Sequence, residues 1–194
     1  CGDMTNKGSL EKFIDFSTWM KDQDFKHKII VFGNHEIGFG KEPKKSKTKE
    51  ICQEYGLTLL QESDIIIDGV KFWGSPASPY FYGWEFNYHR GEEISKIWSQ
   101  IPDDTNVLIT HGGPYGILDL VQDDPYNPHE RDLHQGCEEL NKKVFQLPNL
   151  KISCFGHLHN QKIQTVTLNN ITFANAAIVD DNHKICHSPI VIDI

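Results

Sequence analysis

The sequence has no run of about 18 consecutive apolar residues, which is the length that a membrane-spanning helix needs. It shows no signal peptide, no internal repeat and no low-complexity tract. Basic residues are in the minority, because 19 Lys and Arg stand against 27 Asp and Glu, for a formal net charge of -8. This charge argues against attraction to anionic membranes or nucleic acid. We therefore expect no membrane partner and no stable nucleic-acid binding.

Cysteine occurs in a pattern that excludes its common structural uses. The five cysteines are odd in number and never form a Cys-x-x-Cys pair, so neither a disulfide framework nor a structural thiolate zinc site is indicated. We expect packed, free thiols in a reducing compartment, and hence a cytoplasmic protein.

The length of 194 residues predicts a single domain in which helices and strands alternate. Periodicity predicts helices over 9–22, 46–55, 94–101 and 136–147, with Gly56 ending the second. Apolar runs predict strands at 29–32, 106–110, 151–155 and 189–194, and hairpins turning at Asp68-Gly69 and Asn169-Asn170. Residues 75–91 and 115–134 are predicted loops. This order favours two mixed sheets packed together with helices outside.

Four apolar strands or strand ends are followed by a small residue and then by polar residues able to bind metal. These segments are Gly2-Asp3, Gly33-Asn34-His35-Glu36, Thr110-His111 and Gly156-His157-Leu158-His159. Sites in α/β sheets lie beyond the carboxyl ends of strands. We therefore expect the side chains at these ends to converge.

The residue types in this pattern suit a divalent metal centre that handles phosphate. Imidazole nitrogens with carboxylate and amide oxygens fit Mn, Fe, Zn or Ni. An aspartate can bridge two cations, and a pair of cations orients an ester and generates hydroxide near neutral pH. If Asn34 binds metal, its neighbour His35 can face the ester instead, and Glu36 could orient or charge that imidazole.

In these segments the chain resembles the calcineurin-like metallophosphoesterases. The wider stretches "GDMT", "GNHEIGF", "GSPASPYFYGWEFN", "LITHGGPYGILD" and "PIVIDI" look like the metallophosphoesterase-domain-containing (MPPED) branch of that superfamily. The resemblance extends over essentially the whole chain. It implies an α/β (α+β) four-layer sandwich, with two mixed β-sheets flanked by helices and a dinuclear metal site at its edge.

The resemblance also implies roles for individual residues. Asp3 would bridge two divalent metal ions, with Mn favoured and Fe, Zn or Mg as alternatives. The remaining metal ligands would be Asn34, His111 and His157 for the second metal and His159 for the first. His35 would face the phosphate, assisted by Glu36, and the substrate would be a small phosphodiester or nucleotide, of the cyclic-nucleotide type, attacked by metal-bound hydroxide.

One part of the family pattern is absent from the sequence. Family members carry an Asp-x-His motif on a strand upstream of Gly-Asp, whereas here Cys1 stands directly before Gly2-Asp3. We therefore expect residues 1–194 to be a single calcineurin-like metallophosphoesterase domain that lacks this N-terminal strand, as a fragment of a longer chain. A genuine short protein with one metal or none is the alternative.

Several further residues have both a functional and a structural interpretation. Tyr82 and Trp84, in an aromatic loop, could stack a nucleobase and bind substrate together with Asn34 and His35, or could pack onto the core. Asn175 could reach the site, although an ordinary strand-end amide is favoured. His129 or Arg131, in the loop 115–134, could contact substrate. His134, in the same loop, is expected to be exposed to solvent, and the lysine-rich segment 41–49 is expected to form a solvated face.

Two other functions stay open on the sequence alone. A phosphomonoesterase, including a phosphoprotein phosphatase, would use the same metal ligands as a phosphodiesterase. A non-catalytic scaffold of this fold is favoured by the missing Asp-x-His motif and opposed by the number of retained ligand-type residues.

Overall fold

The computed structural model describes residues 1–121, 134–159, 161, 163–180 and 182–194. Within these ranges it contains four α-helices and ten β-strands. The helices are α1 (Leu10–Lys21), α2 (Lys44–Tyr55), α3 (Glu92–Trp98) and α4 (Glu138–Val144). The strands are β1 (Ile29–Ile30), β2 (Thr58–Leu59), β3 (Ser63–Ile67), β4 (Val70–Ser75), β5 (Ser78–Pro79), β6 (Asn87–Tyr88), β7 (Val107–Thr110), β8 (Ile152–Phe155), β9 (Thr165–Leu168) and β10 (Ile171–Asn175).

A six-stranded mixed sheet, with the order β3-β4-β7-β8-β10-β9, forms the centre of the molecule. Its four inner strands are parallel, and an antiparallel hairpin closes each edge. Asp68-Gly69 and Asn169-Asn170 both have positive φ, which is the type I′ turn geometry predicted from sequence. Both predicted hairpins are therefore confirmed, as is the α/β fold class.

The second sheet is smaller than expected, because in the described residues it consists only of the parallel pair β1-β2. The residues that directly follow its two strands, Val31 and Leu60, pack on the central sheet: a Cβ built on Gly74 would lie 2.8 Å from Val31 Cγ1 and 2.6 Å from Leu60 Cβ. A further parallel pair, β5-β6, lies inside the aromatic loop. The prediction of a second mixed sheet is thus not matched, while the sheet-on-sheet packing is.

Residues 189–194, predicted to be a final strand, do not form one in the structure. Val191 is 90% exposed and Ile194 is 66% exposed. The β-branched apolar residues favour an extended chain, but a strand also needs a neighbouring backbone to hydrogen-bond with. This prediction is wrong for the structure described here.

Two hydrophobic clusters define the layers around these sheets. One joins β1 to α1 and α2 and includes Phe13, Ile30 and Ile51. The other joins the central sheet to α3 and α4 and includes Trp98 and Phe173. The order of layers is therefore helices α1 and α2, the small sheet, the central sheet, and helices α3 and α4.

All four predicted helices are present, with boundaries shifted by a few residues. Ser9 caps α1 through a side-chain hydrogen bond from Lys12 N–H, and Gly56 ends α2 in the left-handed conformation at φ 69°. No helix in the described ranges is both long and apolar enough to cross a membrane.

Candidate metal centre

Three side chains predicted to bind metal meet at one edge of the molecule. The possible ligand atoms of Asp3, His111 and His157 all lie within 4.8 Å of one another. His111 follows β7 and His157 follows β8, and these two strands are parallel neighbours, so their carboxyl ends bring the two rings to a centroid distance of 4.7 Å. The two histidines thus meet because they follow the carboxyl ends of neighbouring parallel strands, as the sequence predicts.

The orientation of His111 suits it for a cation. Its Nδ1 lies 2.8 Å from the carbonyl oxygen of Cys1, which can only accept, so Nδ1 carries the proton. Nε2 then presents its lone pair, 2.7 Å from Asn34 Oδ1 and 3.4 Å from Asp3 Oδ2. Electron-pair donors that face one another in this way fit a shared divalent cation.

The electrostatics of the group favour ligation at neutral pH. Burial lowers the pKa of His111 to about 4, and burial with the neighbouring His111 lowers the pKa of His157 to about 3, so both rings are neutral. Burial opposes ionisation of Asp3, but the adjacent His111 and the N–H of His35 outweigh it and hold the Asp3 pKa below its usual range. A carboxylate with two neutral imidazoles is the protonation state that metal binding requires.

Glycines before the ligands allow this close approach. A Cβ on Gly33 would lie 2.5 Å from His111 Cε1, and a Cβ on Gly2 would lie 2.8 Å from the Cα of Gly33. Two of the candidate ligands also have left-handed backbones, Asp3 at φ 58° and His157 at φ 67°. Such conformations persist where surrounding contacts hold them and are common at functional sites.

Glu36 has a different environment from the one expected. It is fully buried, and its carboxylate accepts hydrogen bonds from the backbone N–H groups of Asp3, Thr5 and Gly33, at 2.9, 2.8 and 2.7 Å. These bonds connect the loop that carries Asp3 to the loop that carries Asn34. The expectation that Glu36 orients the His35 imidazole is therefore not matched, because its carboxylate is directed toward the backbone of these loops.

His35 lies beside the three-residue group without belonging to it. Its backbone N–H donates to Asp3 Oδ1 at 3.0 Å, and its Nδ1 lies 2.9 Å from the carbonyl oxygen of Asn6. Its ring is 4.1 Å from that of Trp84. The imidazole is thus held at one nitrogen and packed on one face, next to the candidate ligands.

His159 is not part of the group formed by Asp3, His111 and His157 among the described residues. Its ring lies 6.0 Å from that of His183, and its carbonyl oxygen accepts a hydrogen bond from Gln161. It follows His157 by two residues on the same loop, so it lies next to this group, and its role as a ligand of the other metal stays a prediction.

The aromatic loop is attached directly to the Asn34 loop. The N–H of Glu85 donates to the carbonyl oxygen of Asn34 at 3.2 Å, and the Glu85 carboxylate accepts from Gly38 N–H at 2.8 Å. Trp84 is half-buried against His35, whereas Tyr82 is 61% exposed and contacts Phe81. Trp84, one of the two predicted substrate-binding aromatics, thus contacts a residue of the site.

Other candidates have structural roles. The Asn175 amide donates to the carbonyl oxygens of Leu118 and Leu158, as the favoured interpretation predicted. Lys44, assigned to a solvated face, instead donates to the carbonyl oxygen of Gly8 at 2.8 Å. The predictions for His129 and Arg131 fall outside the described residues.

Sequence reasoning missed one buried acid, Asp119, which pairs with His134. The signal was present: in "GILDL" a single carboxylate stands among apolar residues, and acids in such surroundings are buried only when hydrogen-bonded or paired.

Comparisons with known proteins identify the family of the chain. The sequence model of the family described as "Calcineurin-like phosphoesterase" matches residues 1–161. The chain is 32% identical over 212 residues to human "Metallophosphoesterase domain-containing protein 1", with 100% of this chain and 63% of the relative covered. It is 35% identical over 204 residues to "UPF0046 protein K07C11.7" of Caenorhabditis elegans, covering 100% and 66%. The chain thus spans slightly less than two thirds of the length of these relatives.

Two solved structures have a similar fold. The "Phosphopantetheinyl Hydrolase (PptH)" of Mycobacterium tuberculosis aligns with a TM-score of 0.57 at 14% identity, covering 94% of this chain and 79% of that one. The protein TT1561 of Thermus thermophilus aligns with a TM-score of 0.54 at 12% identity, covering 86% and 69%. At these identities the likeness concerns the fold alone.

Proposed function

Because the chain belongs to the calcineurin-like phosphoesterase family, we propose that it is a metal-dependent phosphoesterase whose substrates are phosphodiesters of the cyclic-nucleotide type. The observation that carries this proposal is the convergence of Asp3, His111 and His157 within 4.8 Å, with His35 beside them.

The donor set fits divalent cations. Asp3, Asn34, His111 and His157 would hold one cation, and His159 is our proposal for a ligand of a second. Oxygen and imidazole donors without thiolate favour Mn²⁺, with Fe, Zn and Mg as alternatives. Bound cations would supply Lewis-acid polarisation of the ester and a lowered pKa for water.

In this proposal His35 acts on the leaving group. Its Nδ1–H donates to the carbonyl oxygen of Asn6, which leaves Nε2 as the nitrogen that would face the ester. From there a protonated His35 would donate to a phosphate oxygen or to the departing alkoxide. The Trp84 ring limits rotation of the imidazole and so keeps this direction fixed.

Aromatic residues beside the site support a nucleotide-type substrate. The loop that contains Trp84 is hydrogen-bonded to Asn34, and its neighbours Tyr80, Phe81 and Tyr82 are all exposed. Stacking of a base on an aromatic ring contributes about 1–3 kcal/mol. We therefore propose that this loop binds the planar part of the substrate and that the metal centre binds its phosphate.

The first test is hydrolysis of bis(p-nitrophenyl) phosphate by the purified protein, with added Mn²⁺ and with a chelator. We expect turnover that depends on Mn²⁺ and that falls by about 10²–10⁴-fold in His35→Ala, since this is the usual contribution of a positioned general acid. His27→Ala is the matched control, because His27 is exposed and precedes β1, away from the carboxyl ends.

The alternatives give different results in the same assay. Hydrolysis of p-nitrophenyl phosphate, but of neither the diester nor a cyclic nucleotide, would make the protein a phosphomonoesterase. If a folded sample hydrolyses none of the three esters with Mn, Fe, Zn or Mg, residues 1–194 alone are not a phosphoesterase; activity restored by an upstream segment would then separate missing metal ligands from a non-catalytic scaffold. Full activity in His35→Ala would refute the role proposed for His35.

A further inference from the structure

The His35 imidazole is held by a backbone carbonyl from a different part of the chain. Its Nδ1 lies 2.9 Å from the carbonyl oxygen of Asn6, so the direction of the ring depends on where that carbonyl points. Asn6 lies in the segment 5–8, which is closed by a hydrogen bond of 3.0 Å from Gly8 N–H to the Thr5 hydroxyl. The position of this short segment therefore decides the orientation of His35.

Glu36 holds the start of the segment 5–8. Its buried carboxylate accepts hydrogen bonds from the N–H and the hydroxyl of Thr5, at 2.8 and 3.1 Å. Thr5 is itself buried, so the first residue of the segment has little freedom to move. The Asn6 carbonyl would still be able to turn if the other end of the segment, at Gly8, were not held as well.

Lys44 holds that other end. From the first position of α2, its ammonium donates to the carbonyl oxygen of Gly8 at 2.8 Å and lies 3.4 Å from that of Ile37. Gly8 and Ile37 are in close contact, because a Cβ built on Gly8, at φ 64°, would overlap the Ile37 carbonyl oxygen. One ammonium thus joins the segment that follows Asp3 to the segment that follows His35.

The peptide unit between Ile37 and Gly38 is held from both sides. Its carbonyl oxygen faces the Lys44 ammonium, and its N–H donates to the Glu85 carboxylate at 2.8 Å. A cation at the carbonyl end and an anion at the N–H end both stabilise the same orientation of the peptide dipole. Lys44 therefore acts on a fixed carbonyl, and through it on the aromatic loop that carries Glu85.

We propose that Lys44 is a positioning residue of the candidate centre: by holding Gly8 against Ile37, it keeps the Asn6 carbonyl on Nδ1 of His35 and so keeps Nε2 directed at the ester. This inference rests on the proposed phosphoesterase function. It extends that function to a residue of α2, outside the loops that carry the candidate metal ligands. In this role Lys44 acts through His35 and makes no contact with the ester.

The test replaces Lys44 by Met, which has a similar length but neither the charge nor the donors. Lys44→Gln is a milder second variant, because its amide keeps one uncharged donor. Lys47→Met is the matched control, because Lys47 is an exposed lysine on the same helix whose ion pair is with Glu50. Thermal unfolding of each variant shows whether it is folded at the assay temperature.

We measure kcat and KM for bis(p-nitrophenyl) phosphate with Mn²⁺. Loss of one charge-assisted hydrogen bond predicts that Lys44→Met lowers kcat by about tenfold, and Lys44→Gln by a smaller factor. KM should stay within about twofold, because the groups that would bind the phosphate are unchanged. Unchanged kcat in Lys44→Met, or a loss of the same size in Lys47→Met, would overturn the proposal.

A double variant separates positioning from a general loss of structure. If Lys44 acts through His35, Lys44→Met has nothing further to remove once His35 is replaced by Ala. His35→Ala and the double variant should then have the same kcat. A merely structural role would lower kcat by the same factor in both backgrounds, and that result would refute the positioning role.

A measurement on the ring itself separates this inference from the proposed function. If the unmodified protein shows no metal-dependent turnover, the proposed function fails, and the orientation of His35 is followed by NMR instead. The ring lies 4.1 Å from that of Trp84, so the indole shifts the signals of its carbon-bound protons, which are assigned by their absence in His35→Ala. At one fixed pH, we expect these signals to move in Lys44→Met toward those of the exposed His27 and to stay in place in Lys47→Met. Unchanged His35 signals in Lys44→Met would show that Lys44 does not position the ring.

Discussion

At the scale of single residues, Asp3 connects most of the candidate centre. Its Oδ1 accepts from His35 N–H, its Oδ2 faces His111, and its own N–H donates to Glu36. It does this from a left-handed backbone conformation, which an L-residue adopts at a cost. The neighbouring loops hold that conformation, so the position of the carboxylate depends on contacts outside its own segment.

Glu36 is where we expect the largest loss of stability from one substitution. Glu36→Ala would leave the buried N–H groups of Asp3, Thr5 and Gly33 without their acceptor. Each such group costs about 1–3 kcal/mol, so we expect the free energy of unfolding to fall by about 3 kcal/mol or more.

Urea unfolding at neutral pH measures this effect. Glu50→Ala is the control, because Glu50 is an exposed glutamate on α2 whose surface ion pair is with Lys47, and we expect no measurable change. Equal stability of Glu36→Ala and the unmodified protein would show that these three hydrogen bonds do not hold the loops together.

At this scale the sequence indicates which residue types stand at the strand ends, but it does not indicate which other residues each of them contacts in the fold. Asp3, His111 and His157 could be predicted because strand ends on one edge of a sheet converge. The role of Glu36 could not, because its carboxylate oxygens bind N–H groups of residues as far as 33 positions away. The resemblance implies that His159 binds the other metal, and this stays a prediction, because the group within 4.8 Å consists of Asp3, His111 and His157.

At the scale of elements, the turns contain the strongest local information. Both hairpins use residues that tolerate positive φ: Asp68-Gly69 at 50° and 84°, and Asn169-Asn170 at 50° and 63°. Because a type I′ turn depends on its own two residues, each could be identified without knowledge of the rest of the fold.

A substitution in the second of these turns, Asn169-Asn170, is expected to stabilise the protein. Asn170→Gly removes the steric cost of a Cβ at φ 63°, so we expect the free energy of unfolding to rise by about 0.5 kcal/mol. Asn170→Val is the opposite change, with a β-branched side chain at the same angle, and should lower it by at least about 1 kcal/mol. Thermal unfolding of the unmodified protein and the two variants gives their order of stability. A less stable Asn170→Gly or a more stable Asn170→Val would contradict the turn assignment.

Elements that depend on distant neighbours were less predictable. The run at 189–194 has the composition of a strand, yet the structure shows no strand there. The strand predicted at 29–32 is reduced to Ile29–Ile30, because only these two residues pair with β2. Local composition favours an extended backbone, whereas the length of a strand is decided by its partner.

At the scale of the whole molecule, the buried histidines make stability depend on pH. Burial lowers the pKa of His111 from 6.5 to about 4. Its contribution is fully present above pH 6.5, because neither state is then protonated. It is lost as the pH falls toward 4, because the unfolded chain binds the proton first. The expected slope is up to about 1.4 kcal/mol per pH unit.

Other titratable groups also change the slope of the free energy of unfolding against pH, so a variant is needed to isolate the contribution of His111. Burial and the charge of Asp3 raise the pKa of Glu36 from 4.5 to about 7, so the part of its contribution that depends on the bound proton is present below 4.5 and is lost as the pH rises to 7, while its hydrogen bonds to backbone N–H groups remain. We compare His111→Asn with the unmodified protein by urea unfolding across this range, with a chelator present. The variant should show a shallower loss of stability on acidification; identical slopes would show that His111 is protonated equally in both states.

The sequence separation of the residues in the centre also determines when it can form. The contacts of His111 with Cys1 and Asn34 join residues 110 and 77 positions apart. Contacts of such high order form only after long loops have closed, and this makes them late events in folding. The candidate metal centre is therefore completed only when both sheets have packed together. A cation can then bind to all of its ligands only in chains that have reached this state. Binding of a cation at this group would therefore stabilise the fully folded chain relative to partly folded ones.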